Sequence, residues 1–250
     1  MARGGIIGRL GQRRDLRRWQ AAAQRAARMP LPGLIAQRQA ARTMRAALDR
    51  LEHVAARRIA PALPPAQPGT DWVWRPEALL LPLAQRQVEG VASGTALACA
   101  DGSPGVALFH DDPDEAPEIM LTQGGHAPPL ALTLDVYASA AGFVSLVLAL
   151  PEAACAGLEG RHIIGLRVQL QVEPVGHAVA RLNLRQGPEV LQRQLPLAAG
   201  TQQVEFDLAE LSLLPRPVYE AWIDLILDRP AMTRMVLRDL SLARYPRAPL

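Results

Sequence analysis

The chain has 250 residues, 49% of them hydrophobic and 20% charged, which is enough for one sizeable core and excludes a disordered or low-complexity protein. Two cysteines exclude a disulfide framework, and no apolar run approaches the roughly twenty residues that a helical membrane span needs. The net charge of +3 conceals a segregation: residues 1–60 hold fourteen arginines against three acids, whereas residues 61–250 hold thirteen against twenty-one. A basic arm therefore precedes an acidic body, and such asymmetry points to a surface or partner of opposite sign.

The first sixty residues read as helical. Leu16, Trp19, Ala23 and Ala26 recur at three- and four-residue steps, with Arg14, Arg17, Arg18, Arg25 and Arg28 elsewhere around the helix. Met29-Pro30-Leu31-Pro32-Gly33 ends it, because proline lacks an amide donor and restricts the residue before it. A second pattern, Ala41, Met44, Leu48, Leu51 and Ala55, has heptad-like 3-4-3-4 spacing. The simplest arrangement is an antiparallel helical hairpin over residues 1–60. Residues 61–71, Pro-Ala-Leu-Pro-Pro-Ala-Gln-Pro-Gly-Thr-Asp, form a proline-rich linker, and the domain boundary is placed there.

Beyond the linker the apolar period falls to two. Leu130, Leu132, Leu134 and Val136 alternate with polar or small residues; so do Val144 to Leu150, Leu166 to Val172, Ala180 to Leu184 and Val204 to Leu208. Further strand-like runs are Val106–His110, Glu118–Gln123, Leu191–Leu197, Ala221–Leu227 and Met235–Arg244. About ten strands separated by Gly, Pro and Asp turns, with no long helices between them, predict a mainly β domain over 72–250. Its expected architecture is an antiparallel, jelly-roll-like β-sandwich with one polar face on each sheet.

The Arg-rich helical start, the segment Thr70-Asp71-Trp72-Val73-Trp74-Arg75-Pro76-Glu77 and the closing strand Val236-Leu237-Arg238-Asp239-Leu240-Ser241-Leu242-Ala243-Arg244 resemble an uncharacterised bacterial family of unknown function. That resemblance covers nearly the whole chain and implies no activity, cofactor or site. The terminal strand and the strand count also resemble galactose-binding-like jelly rolls, the sandwiches of many carbohydrate-binding modules. This second resemblance implies sugar binding by fold analogy.

The most suggestive candidate site lies on the strand Trp222-Ile223-Asp224-Leu225-Ile226-Leu227-Asp228. Trp222, Asp224 and Asp228 share one face. An indole offers a flat apolar platform and a neighbouring carboxylate accepts hydrogen bonds from hydroxyls, which is the chemistry a sugar ring requires. Arg167, Arg181, Asn183 and Arg185, with Gln169, are expected on the polar faces of neighbouring strands. The plainer reading packs Trp222 beneath the helices or a loop and pairs Asp224 with an arginine. Trp72 and Trp74 divide similarly between a binding platform and residues that pin the linker to the body. His110, Asp111, Asp112, Asp114 and Glu115 form an acidic turn whose spacing matches no EF-hand, so no metal is expected.

The chain has no G-x-S-x-G, H-E-x-x-H, C-x-x-C or phosphate loop, and its five histidines show no ligand spacing, so the expectation leans away from an enzyme and includes no cofactor. Glu205 and Asp207, on one strand face, keep a hydrolase as an alternative. Cys99 and Cys155 read as buried thiols, with a single bridge between them as the alternative. The leading functional expectation is a non-catalytic module for a carbohydrate or similar polar ligand. The other is an adaptor whose arm, through Arg13, Arg14, Arg17, Arg18, Trp19 and Arg25, meets an anionic membrane surface or an acidic protein partner. The arm also suits docking within the chain or onto a second copy, while one interleaved aromatic argues against nucleic acid. The N-terminus lacks a secretory apolar region, because Gly8, Arg9 and Gly11 interrupt Ile6, Ile7 and Leu10. A cytoplasmic protein, peripheral at the inner membrane, is expected.

Overall fold

The structure is a computed structural model that describes residues 5–59, 63, 67–114, 117–125, 128–174, 176–198 and 200–247. Residues 61, 62 and 64–66 of the expected linker, together with Glu115 and His126, lie outside the described residues.

Two long helices open the chain, α1 (Gly5–Arg25) and α2 (Leu31–Ile59), separated by one short 3-10 turn. Pro32 sits in the first turn of α2, where an amide donor has no intrahelical acceptor to lose. The helices form where the periodicity places them, but the seam on α2 is not packed: Met44, Leu48 and Leu51 are exposed, as are Leu31 and Ile35. Two compact units divide at residue 51. The last two turns of α2 accordingly belong to the same unit as the strands. Ala56 joins that unit's core, and His53 Nδ1 lies 3.0 Å from Asp101 Oδ2. The unit boundary thus falls inside a helix, ahead of the prolines.

Thirteen strands follow among the described residues: β1 (Trp72–Trp74), β2 (Gln87–Glu89), β3 (Thr95–Leu97), β4 (Val106–His110), β5 (Ile119–Gly124), β6 (Ala131–Val136) and β7 (Phe143–Ala149). After a single helical turn, α3 (Glu152–Cys155), come β8 (His162–Glu173), β9 (Ala178–Gln186), β10 (Glu189–Leu197), β11 (Gly200–Asp207), β12 (Glu220–Asp228) and β13 (Thr233–Pro246). They form two antiparallel sheets. The first runs β11-β8-β13-β6-β5-β2, with β1 also paired to β13; the second runs β10-β9-β12-β7-β4-β3. This is the jelly-roll-like sandwich that the alternation predicts.

Period-2 side chains build the core between the sheets. From the first sheet Leu132, Leu134, Leu166, Leu170 and Leu242 are fully buried, and from the second Leu146, Leu182, Ile223 and Leu225. β13 needs one irregularity to stay in phase. Its register shifts between Leu237 and Asp239, so Met235 and Leu237 point inward before the shift and Leu240 and Leu242 after it. The extra residue of the bulge leaves Asp239 free to accept both Arg75 Nε (2.9 Å) and Arg75 Nη2 (3.0 Å). That fork ties the segment after β1 to the centre of the first sheet. Trp72 and Trp74 stack with ring centroids 6.4 Å apart and pack against the core, so both serve the fold as anchors.

Cys99 and Cys155 are free and buried, and burial pushes both thiols above their ordinary value. No helix among the described residues is long and apolar enough to cross a membrane.

Candidate functional site on the open face of the second sheet

Outward positions of β4, β7, β12 and β9 together line a groove of about 410 Å³. Phe109 and Phe143 stand at one end; Trp222, Arg185 and Glu220 stand at the other; Ser145, Val147, Arg181 and Asp224 form the floor between them. Strand register explains the assembly. Trp222 lies opposite Asn183 on β9 and Ala149 on β7, and Asp224 lies opposite Arg181 and Val147. Phe109 faces Ser145 across β4 and β7. With strands about 4.8 Å apart and about 3.3 Å per residue, the Trp222 and Phe109 ends are separated by roughly 16 Å.

A buried ion pair organises the floor. Asp224 is almost wholly inaccessible, and its Oδ2 accepts from Arg181 Nε at 2.6 Å and from Asn183 Nδ2 at 3.0 Å. Asn183 also donates to the Trp222 carbonyl, so the amide clamps the carboxylate to the strand that carries the indole. Four buried polar atoms in or beneath the groove have no hydrogen-bond partner: Asp224 Oδ1, Asn183 Oδ1, Ser145 Oγ and Arg185 Nε. Buried polar groups are nearly always satisfied, so the unpartnered oxygens of Asp224 and Ser145 on the floor mark a place for donors from outside the chain.

The apolar walls complement that floor. Trp222 is half-buried, and the Arg185 guanidinium lies over its ring, 5.5 Å from the centroid. Arg185 Nε is 3.2 Å from Glu220 Oε2. Each arginine of the groove thus has an acidic partner, and the site is electrically compensated while retaining aromatic surface at both ends.

Of the residues that the sequence singles out, Trp222, Asp224, Arg181, Asn183 and Arg185 meet here. Arg167 does not. It lies on β8, in the first sheet, opposite Ser241 and Gln203, so it cannot line the polar face that holds Trp222. Gln169 shares that sheet. Asp228 ends β12 beyond the groove, exposed and 3.7 Å from Arg229. Phe109, Phe143, Ser145 and Glu220 were not singled out, although Val106, Leu108 and His110 alternate inward and leave Phe109 as an outward aromatic.

The other candidates are occupied by structural roles. Asp207 accepts from the Ala209 amide at 2.9 Å and lies 3.5 Å from Arg247, so it caps a turn, while Glu205 lies beside Tyr245 on the first sheet. Burial, and then the Glu205 carboxylate, push the Tyr245 phenol far upward. In the acidic turn, Asp112 accepts from Ser139 and from the Asp114 and Ala140 amides, and Asp111 accepts from the Phe143 amide. No cluster of three metal-ligating side chains occurs among the described residues.

Comparison with protein families matches residues 1–250 to a family of unknown function, DUF6478. The chain belongs to that family. No curated protein matches this DUF6478 chain in sequence. Among solved structures it is similar to the family 11 carbohydrate-binding module of the cellulase Lic26A-Cel5E of Clostridium thermocellum, with 8% identity and a TM-score of 0.36 over 61% of this chain and 95% of the module. It is also similar to the CBM22-1 xylan-binding domain of Paenibacillus barcinonensis Xyn10C, with 8% identity and a TM-score of 0.35 over 67% of this chain and 96% of that domain. A third similar structure is the enzymatically active domain of tailspike protein 4 of bacteriophage CBA120, with 11% identity and a TM-score of 0.36 over 54% of this chain. The DUF6478 chain spans only 19% of the tailspike domain.

Proposed function

We propose that this protein is a binding module that holds a neutral carbohydrate in the groove of the second sheet. The observation that carries the reading is the juxtaposition of the half-buried Trp222 ring with Asp224, whose Oδ1 is buried and unpartnered. A pyranose has an apolar face that stacks on an indole and equatorial hydroxyls that donate to a carboxylate. Ser145 Oγ adds a further acceptor on the same floor. Neutrality follows from the pairing of Arg181 with Asp224 and of Arg185 with Glu220, which leaves no uncompensated cation in the groove for an anionic sugar. The roughly 16 Å between the aromatic ends suits an oligosaccharide better than a single ring.

The test is a glycan array probed with the full-length protein and its Trp222→Ala variant. Binding to neutral oligosaccharides that is lost in the variant supports the reading. Absence of binding, or binding that the variant retains, removes it.

A further inference from the structure

We infer that the helical arm, residues 13–51, is a docking surface for an anionic lipid layer. On α2, Met44, Leu48 and Leu51 fall on one face at 3-4 spacing and are between 41 and 66% exposed. Arg38 and Arg45, seven residues apart, run along one flank of this stripe, and both are exposed. On α1, Leu16 is exposed, and the Arg18 guanidinium lies 5.8 Å from the Trp19 ring centroid. Every arginine side chain between residues 13 and 50 is exposed.

Charge selects the occupant. With fourteen arginines and three acids in residues 1–60, a second copy of the arm would bring like charge against like charge. A nucleic acid would satisfy the arginines but offers nothing to an apolar stripe. An anionic bilayer satisfies both: the aliphatic side chains enter the boundary of the acyl region, and the arginines extend their stems over it with their guanidinium groups at the lipid phosphates. Such binding rests on many modest contributions near a charged surface, so it is screened by salt.

Flotation of the full-length protein with vesicles tests the inference. Co-flotation with phosphatidylcholine–phosphatidylglycerol vesicles at low salt, release at high salt and no flotation with pure phosphatidylcholine are the expected results. Replacing Arg13, Arg14, Arg17 and Arg18 together by Gln lowers partitioning about tenfold or more. The triple variant Met44→Ser, Leu48→Ser, Leu51→Ser weakens it as well, although the charge is unchanged. Every altered side chain is exposed, and circular dichroism checks that the helices persist. Failure to float at low salt, or equal flotation with neutral vesicles, overturns the inference. It is equally overturned if the serine variant floats like the parent but converts a sedimenting dimer to monomer, which makes a second copy the occupant. Duplex binding that the serine variant retains, without flotation, makes a polyanion the occupant and overturns it too.

Discussion

The open faces of the two sheets carry the same device in different surroundings. On the second sheet, Asp224 and Arg181 are direct cross-strand neighbours; on the first, Asp135 and Arg234 are. Both carboxylates are buried. The arginines differ: Arg181 is 28% exposed beneath the aromatic walls, whereas Arg234 is 55% exposed. Around the first pair stand Trp222 and, with side-chain oxygens that lack partners, Asn183 and Ser145; on the other side of β13 from the second pair's β6, the long outward row of β8 is Arg167, Gln169, Gln171 and Glu173. An ion pair on a solvated face neutralises a sheet surface. The same pair in a half-closed aromatic groove becomes the polar floor of a site.

The largest contrast is expected from removing the carboxylates. Asp224→Ala strands Arg181 and Asn183 in a desolvated place and should cost about 3 kcal/mol in urea denaturation. Asp135→Ala leaves an arginine that water already reaches and should cost about 1 kcal/mol or less. Equal losses would erase the distinction between the faces. Next in size, Trp222→Ala should weaken oligosaccharide affinity roughly 30-fold, the effect of losing an anchor worth about 2 kcal/mol, as calorimetric titration would read. Arg167→Ala, on the opposite sheet, should leave the affinity unchanged.

Acid should reveal a weak point at one end of the first sheet. Burial, reinforced by Arg244, holds the His162 imidazole below its ordinary value, and its Nδ1 accepts from the Glu159 amide at 3.0 Å. The unfolded chain therefore takes up this proton at higher pH than the folded one. Stability is complete above the imidazole range and falls as pH drops through it, so the urea midpoint should be lower at about pH 5.5 than at about pH 7.5. His162→Asn, whose side-chain oxygen can still accept, should flatten that difference. At lower pH the hydrogen bonds from Arg244 hold the Asp71 carboxyl below the usual carboxylate range, and that contribution disappears as Asp71 is protonated. The smallest effect is expected from Gln169→Ala on the solvated row, within about 0.5 kcal/mol.

Alternation along the chain reveals which side chains point outward but not which outward face closes into a groove. Leu166, Val168, Leu170 and Val172 announce β8 as clearly as Ile223, Leu225 and Leu227 announce β12, yet the two strands lie in different sheets. Antiparallel strands of both sheets obey one pattern, which is why alternation alone groups Arg167 with Trp222. β1, β2 and β3 escaped the reading because three residues are too few to display a period. The apolar positions 235, 237, 240 and 242 do record the bulge in β13 as a break in phase, and Asp239 beside it is the partner of Arg75. On the helices the same periodicity misled in one respect: the 3-4-3-4 spacing of Ala41, Met44, Leu48, Leu51 and Ala55 reads as a seam, whereas its large side chains Met44, Leu48 and Leu51 are exposed.

The central claim is that the ligand occupies the second sheet's open face. Titrating isotopically labelled full-length protein with a neutral oligosaccharide that it binds, and following amide and indole shifts, tests this most directly. The account predicts saturable changes at the Trp222 indole and at the amides of Ser145, Val147, Arg181 and Asp224. Changes confined to Arg167, Ser241 and Tyr245, on the first sheet, would contradict it.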